Sequence, residues 1–285
     1  MIVSIIVPVY KGNKYVNGLI QMAENNQKYA NSEGINVEIE LILVNDYPVI
    51  AIDYEVDSTD IKIKIIDNSK NEGIHKSRVN GLIQSRGDYV LFLDQDDLIT
   101  DNCITSQLKA IGDCDLLIAN GYKVSGGQKK AIYRSKRKQA LTTKVKAYLY
   151  AANQIVSPGH CLILKSAIPE EWKEYIIKIN GGDDLFLWLL MFAYKKKIGI
   201  NPDMLYTHVD TGINISGSKK AMIDSADNVI ALAKKCPIIP KKWTCLYERR
   251  IRFTDNLVGD NRNKKIVSCI KNIDICIYKL YAYYR

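Results

Sequence analysis

The sequence predicts a doubly wound α/β protein, with a mostly parallel central sheet flanked by helices and a helical C-terminal extension. Three observations carry this. Short apolar, β-branched runs recur as far as Asn120 and stop abruptly at polar or acidic residues, as the buried strands of a parallel sheet do. Apolar residues at helical spacing lie between those runs, and beyond Ser218 the spacing is helical alone.

In chain order, residues 4–9 form the first strand, closed by Pro8-Val9-Tyr10 and the polar turn Lys11-Gly12-Asn13-Lys14. Tyr15, Val16, Leu19, Ile20 and Ala23 then recur as one helix face. Residues 39–44 supply a second strand ending at Asn45-Asp46, and residues 61–66 a third, stopped by Asp67-Asn68. Ile74, Ser77, Leu82 and Ile83 suit a helix covering the sheet, and Gly87-Asp88 opens the fourth strand, residues 89–93. Helices therefore fill the first and third crossovers, with a loop-rich connection at residues 47–60. Farther along, residues 104–111 read as a helix, 115–120 as a strand, 154–164 as a loop feeding a strand, 185–192 as an apolar buried helix, 198–205 as a strand, and 218–235 as a helix ended by Pro237 and Pro240.

Composition narrows the class. A chain of 285 residues buries one large core, or a core with a smaller appendage, and 47% hydrophobic with 25% charged residues is ordinary for a folded soluble protein. The N-terminus lacks a basic leader and reads as a strand, and the longest apolar run, residues 185–194, is half the roughly 20 residues a membrane span needs. Seven cysteines without CxxC spacing indicate reduced thiols and a cytoplasmic setting. The net charge of +9 is uneven: no acidic residue lies between Asp115 and Glu170, and a second basic excess runs from Lys241 to Arg285. Such a field attracts phosphorylated small molecules, anionic lipid or nucleic acid, without choosing among them.

Two acidic stretches stand out. The fourth strand ends in Asp94, Asp96 and Asp97, and carboxylates crowded at a strand's carboxyl end call for a cation, where an open α/β sheet binds its ligands. The plainer reading is an acidic turn in which Asp97 caps or supports the loop. Gly181-Gly182-Asp183-Asp184 precedes the apolar helix. Its aspartates either favour the positive helix N-terminus, or one takes a proton from a substrate hydroxyl while the glycines, Gly182 among them, let substrate approach. His160 either hydrogen-bonds a sugar or satisfies a bend, and the basic segment after Gly126-Gly127 is a flap, an acceptor platform or a solvated loop. Ile266, Ile270, Ile273, Ile277, Leu280 and Tyr284 make an apolar stripe that packs on the domain or on a partner subunit, or lies on a membrane with Lys264, Lys265, Lys271, Lys279 and Arg285 toward anionic headgroups.

In order, VSIIVPVYKGNKYV, LILVNDYP, NEGIHKSRVNGL and GDYVLFLDQDD resemble the nucleotide-sugar-binding half of family 2 glycosyltransferases, inverting enzymes of the GT-A fold. The resemblance is strong over the first 100 residues and looser to 215. It implies a catalytic domain at 1–215, divided into a donor half (1–100) and an acceptor half (101–215), with residues 216–285 as a basic helical extension. It sets Pro8, Tyr10, Asp46, Asp67, Gly73, Arg78, Asp94 and Gln95 along the donor: Asp46 at the nucleobase, Asp67 at the base or ribose, Arg78 near the diphosphate or supporting the acidic motif, and Asp94-Gln95-Asp96 as the DxD-type motif. Asp96 and His208 are then the Mn²⁺ or Mg²⁺ ligands and Asp184 the general base, with Asp183, Gly182 and His160 on the acceptor side or in support. The sequence departs from the family at Tyr47-Pro48, at Val79, at Asp183 and at Thr207, leaving Lys219 or Lys220 for phosphate contact and residues 214–218 as the loop after the histidine.

The expected activity is metal-dependent, inverting transfer of a sugar from a nucleoside diphosphate, with UDP the first donor considered, to a hydroxyl of a glycan or lipid-linked acceptor in bacterial surface polysaccharide assembly. The expected place is the cytoplasm, with the inner face of the cell membrane as a docking surface and a homo-oligomer as an alternative use of the stripe. Nucleotidyl transfer to a sugar phosphate is the competing enzyme class, but no glycine- and basic-rich activating stretch follows the first strand. Nucleic-acid binding rests on charge alone, because no recognisable binding motif accompanies it.

Overall fold

The computed structural model describes residues 1–55, 60–210, 212, 219–259 and 262–284. Residues 214–218 and the side chains of Lys219 and Lys220, together with the 215/216 domain boundary, lie outside the described residues.

The first half of the fold is a parallel sheet. β1 (Ile2–Val9), α1 (Asn13–Ser32), β2 (Glu38–Asn45), β3 (Lys62–Asp67), α2 (Ile74–Gln84) and β4 (Tyr89–Phe92) follow in order, and the strands lie as β3-β2-β1-β4. The register places Val9 beside Asn45 and Asn45 beside Asp67, while Ile6 pairs with Phe92. The carboxyl ends of these strands therefore open on one edge, where the loops bearing Tyr10, Asp46, Asp67 and Asp94 meet.

β5 (Leu98–Ile99), α3 (Cys103–Ala110), β6 (Leu116–Ser125), β7 (Gln128–Ala131), α4 (Lys136–Gln139), α5 (Val145–Tyr150) and β8 (Cys161–Leu164) begin the second half. After them come α6 (Glu170–Glu174), α7 (Asp183–Ala193) and β9 (Ile198–Val209). β8 joins β4 and β6 antiparallel, β9 runs parallel to β6, and β5 and β7 add antiparallel pairs. The basic stretch after Gly126-Gly127, expected as a flap, platform or loop, is the return strand of a hairpin in which Lys123 pairs with Lys130 and Val124 with Lys129.

Strand alternation divides the core into two faces. Val3, Ile5, Val7 and Val9 of β1 join Leu41 and Leu43 beneath α1 and α3, whereas Ile6, Ile42 and Val44 face α2 and α7. Because both faces are covered, the strands read as continuous apolar runs. α7 is buried from Asp183 through Met191, as its apolar sequence predicts.

α8 (Lys219–Lys235), α9 (Lys241–Gly259), α10 (Arg262–Lys271) and α11 (Ile273–Tyr284) complete the chain. Ala226, Val229 and Ile230 of α8 and Tyr247 of α9 belong to the same apolar cluster as α7. α11 reaches the domain through Ile275, Ala282 and Tyr278, which stacks on Tyr150 at 5.1 Å. The predicted stripe does not pack on the domain: Ile266, Ile270, Ile273, Ile277, Leu280 and Tyr284 are 51 to 81% exposed, and α10 and α11 are separated at Asn272. No helix among the described residues is long and apolar enough to cross a membrane.

Candidate active site

The site is built around Arg78. It is 3% exposed on the first turns of α2, and its Nη2 donates to Asp94 Oδ1 at 2.5 Å while Nη1 donates to Asp183 Oδ2 at 2.6 Å. One planar guanidinium thus ties the acidic loop after β4 to the start of α7. The two carboxylates raise the Arg78 pKa against the opposing effect of burial, and the Arg78 cation holds Asp183 below the usual carboxylate range. Arg78 was expected near the diphosphate or in support of the acidic motif. Its occupied amino groups make it the support.

Asp94 is turned the same way. Its Oδ1 meets Arg78 and its Oδ2 accepts from Ser157 Oγ at 3.2 Å, so both oxygens have partners within the chain. Asp96, next but one, points elsewhere. Half-buried, it has no side-chain hydrogen-bond partner among the described residues, and burial and Asp97 raise its pKa. Asp97 is fully buried and accepts from the Tyr206 hydroxyl, from His208 Nδ1 at 3.0 Å and from the Val209 N–H at 3.0 Å. A carboxylate on Nδ1 selects the tautomer with its lone pair on Nε2, which suits His208 as a ligand.

Gln95 closes the loop on β1: its Oε1 accepts from the Tyr10 N–H at 3.0 Å and its Nε2 donates to the Tyr10 carbonyl at 3.3 Å. It thus clasps the loop after β4 to the end of β1. Tyr10 itself is 43% exposed and meets Tyr47 edge-to-face at 5.4 Å, with the Lys11 ammonium 4.8 Å from the Tyr47 ring. Pro8 lies within β1 beside Val44 and frames this edge from below.

Asp46 was expected at the nucleobase, but it is 4% exposed and anchors a loop. Its Oδ1 accepts from Asn68 Nδ2 and the Glu72 N–H, and its Oδ2 from the Gly73 N–H at 3.0 Å. Gly73 has φ of +86°, a conformation that favours glycine, so it serves the turn into α2 rather than touching the donor. Asp67 remains exposed at the edge, accepting from Asn45 Nδ2 at 2.8 Å.

On the other side, Asp184 is 9% exposed. Asn153 Nδ2 donates to its Oδ2 at 2.8 Å and the Leu185 N–H to its Oδ1 at 2.6 Å. Burial first, and the neighbouring Asp183 charge second, push its pKa up to about 7. A carboxylate so placed accepts a proton near neutral pH, which Asp183, locked to Arg78, does not. Gly182 was expected to admit substrate; instead α8 fills that space, since a Cβ there would lie 2.6 Å from Val229 Cγ2 and 2.7 Å from Ser225 Oγ. His160 is fully buried, with Nδ1 2.7 Å from the Ala119 carbonyl and its ring stacked on Tyr206, and burial pulls its pKa down to about 4. It is enclosed by the fold, and its Nε2 has no hydrogen-bond partner among the described residues.

Sequence reading missed Asn153, Ser157 and Tyr206. The first two sit in the polar stretch before β8, whose pattern shows only a loop, and Tyr206 follows the expected strand 198–205 with no signal of its own. Among the described residues no group of three or more His, Cys, Asp or Glu side chains is poised to hold a metal.

With this geometry in view, the chain's kinship is plain. The model of glycosyl transferase family 2 matches residues 4–172, and the chain belongs to that family. It is 32% identical over 149 residues, half of this chain and 56% of the relative, to a Haemophilus influenzae protein described as an uncharacterized glycosyltransferase. It is also 32% identical over 124 residues, 41% of this chain and 33% of the relative, to the putative glycosyltransferase EpsH of Bacillus subtilis. The matched region thus spans little more than half of the first relative and a third of the second. Among solved structures, residues 1–349 of TarS from S. aureus in complex with UDP-GlcNAc superpose with a TM-score of 0.62 at 17% identity, covering 96% of this chain and 81% of that one. The fold is the GT-A type.

If Arg78 couples the two halves, Arg78→Met leaves two buried carboxylates without their cation and lowers unfolding free energy by about 3–5 kcal/mol. Urea unfolding measures this, and the double variant Arg78→Met/Asp183→Asn recovers part of the loss. A single variant as stable as the wild type would show that the bridge does not hold the site.

Proposed function

We propose that this chain transfers a sugar from a nucleoside diphosphate sugar, with UDP the nucleotide, to a hydroxyl of a glycan or lipid-linked acceptor, inverting the anomeric centre. The observation that carries this reading is the division of the acidic groups: a carboxylate without a side-chain partner, Asp96, on one side of the Arg78 bridge, and a buried, basic carboxylate, Asp184, on the other. Family membership and a structural neighbour that holds UDP-GlcNAc support the donor class.

A divalent cation, Mn²⁺ or Mg²⁺, fits the donor set available: the Asp96 carboxylate and His208 Nε2 are hard and borderline ligands, and such ions keep sites completed by substrate phosphates. When bound it offsets charge on the departing diphosphate. The chain's own residues do the rest. Tyr10 offers an aromatic face for the base, Asp67 an acceptor for base or ribose, and Lys123, which pairs with His208 across the sheet, adds positive charge near the diphosphate. Asp184 takes the proton from the acceptor hydroxyl as its oxygen attacks the anomeric carbon; the bond to the diphosphate breaks with its electron pair, and the nucleoside diphosphate leaves. Because attack and departure use opposite faces, a single displacement inverts the centre.

Asp184→Asn should lower kcat by about 10²- to 10⁴-fold while donor affinity stays within about twofold. In the wild type, kcat/KM should rise as pH increases through about 7, because a carboxyl with a raised pKa is protonated, and useless as a base, below that value. A variant with wild-type turnover, or a flat profile from about pH 5.5 to 8.5, refutes the assignment. Asp96→Ala should abolish Mn²⁺-dependent binding of UDP-sugar in calorimetry; undiminished binding with Mn²⁺ present removes Asp96 as ligand.

The exposed stripe of α10 and α11 supports docking on an anionic membrane surface, at the inner face where a lipid-linked acceptor is presented. Residues 262–285 carry six basic residues against one acidic, so a second copy laid on this face would bring like charges together, while anionic headgroups complement them. Tyr283 and Tyr284, both largely exposed, suit the headgroup layer. The protein should co-float with vesicles containing phosphatidylglycerol and detach in high salt, and Ile270→Asp/Ile277→Asp should weaken partitioning at least about tenfold. Equal floating on phosphatidylcholine alone, or an unaffected double variant, argues against this surface.

A further inference from the structure

The three arginines of α9 have different surroundings. Arg249 and Arg252 are exposed and each has a carboxylate, Asp274 of α11 and Asp227 of α8. Arg250, between them, is 7% exposed and has no carboxylate partner among the described residues. Its Nε is buried with no hydrogen-bond partner among the described residues, its Nη1 donates to the Ala151 carbonyl at a long 3.4 Å, and its other contact is neutral: the Tyr247 side chain, which hydrogen-bonds the guanidinium and whose ring centre stands 4.8 Å away. Lys279 of α11 lies one helical turn along: its ammonium donates to Thr254 Oγ1 at 3.3 Å, and that hydroxyl in turn donates to the Arg250 carbonyl. Burial and the Arg250 charge both lower the Lys279 pKa.

A buried cation is expensive to leave unpaired, and two adjacent ones more so. Asp227 and Asp274, the carboxylates that reach the arginines of this helix, pair with the outer two. The charge is therefore left over for a ligand, not for the fold. Its position says which ligand. Ala151, whose carbonyl faces Arg250, stands two residues before Asn153, which holds Asp184. Tyr247, against the guanidinium, is close enough to Asp184 for that carboxylate to disfavour its ionisation.

We propose that Arg250 and Lys279 form an anion site that takes a phosphate-class group carried by the acceptor, beside the carboxylate that receives the acceptor's proton. This rests on the reading of Asp184 as base and narrows it: the acceptor is a phosphorylated glycan or polyol, or one held next to its own lipid phosphate, and not a neutral sugar. The basic character of α9 and α11 then serves acceptor recognition as well as the surface.

The test uses the full chain with UDP and Mn²⁺ at saturation, so that the donor site is filled. Glycerol 3-phosphate is titrated against chloride of equal ionic strength while the thermal midpoint is followed. Saturable stabilisation is expected, with Arg250→Met and Lys279→Met each weakening the apparent affinity at least about tenfold and Arg249→Met leaving it unchanged. Arg250→Met removes an uncompensated buried charge and should fold; Lys279→Met, at a half-exposed position, provides an independent route. No stabilisation, or equal stabilisation in all three variants, overturns the proposal. So does a response confined to phosphatidylglycerol vesicles, because the site would then read a membrane headgroup rather than an acceptor. Asp184→Asn separates this proposal from the reading beneath it: anion binding that persists in a variant with undiminished turnover leaves the anion site in place and removes the base.

Discussion

A single buried guanidinium ties the parallel-sheet half of the fold to the start of α7. Arg78 comes from α2, the helix that covers the parallel sheet, and meets one carboxylate from the end of β4 and another from the start of α7. Two buried charges with a third partly buried beside them are tolerable only with short, directed hydrogen bonds, and the one to Asp183 joins segments 105 residues apart in sequence. The same bridge sorts the acids chemically. Asp94 and Asp183 are taken up by it, whereas Asp96, two residues past the first, and Asp184, one past the second, make no bond to Arg78.

Other carboxylates near the site are spent in the same manner. Asp46 gathers three donors from the loop after β3, and Asp97 gathers Tyr206, His208 and a backbone N–H from β9. Loops at the carboxyl ends of strands leave backbone N–H groups without ladder partners, and a buried carboxylate is an efficient way to satisfy several of them. These anchors stiffen the rim on which Tyr10, Asp67 and His208 remain free to meet a ligand.

The C-terminal helices join the catalytic body without surrendering their outer face. α8 seals the space beside Gly182, where even a methyl group would collide, and α9 adds Tyr247 to the core around α7. The face of α10 and α11 turned away from the body is apolar and basic together. One helix thus supplies core, ion pairs and an unpaired inward cation.

Much of the framework was legible in the sequence: the four parallel strands, the helices at the first and third crossovers, the apolar buried α7 and the long strand leading to His208. Period and run length are local properties, and two covered faces leave a plain pattern. The two acidic stretches, one after the fourth strand and one before the apolar helix, were legible too. What no local pattern carried was which aspartate is used up by the fold. Asp94 and Asp96 look alike in sequence, as do Asp183 and Asp184, and Asp46 looks like a ligand. Only the tertiary structure decided among them, because a carboxylate's role depends on which donors reach it, and here the deciding donors, Arg78, Asn153, Ser157 and the N–H groups of Glu72 and Gly73, come from other segments of the chain.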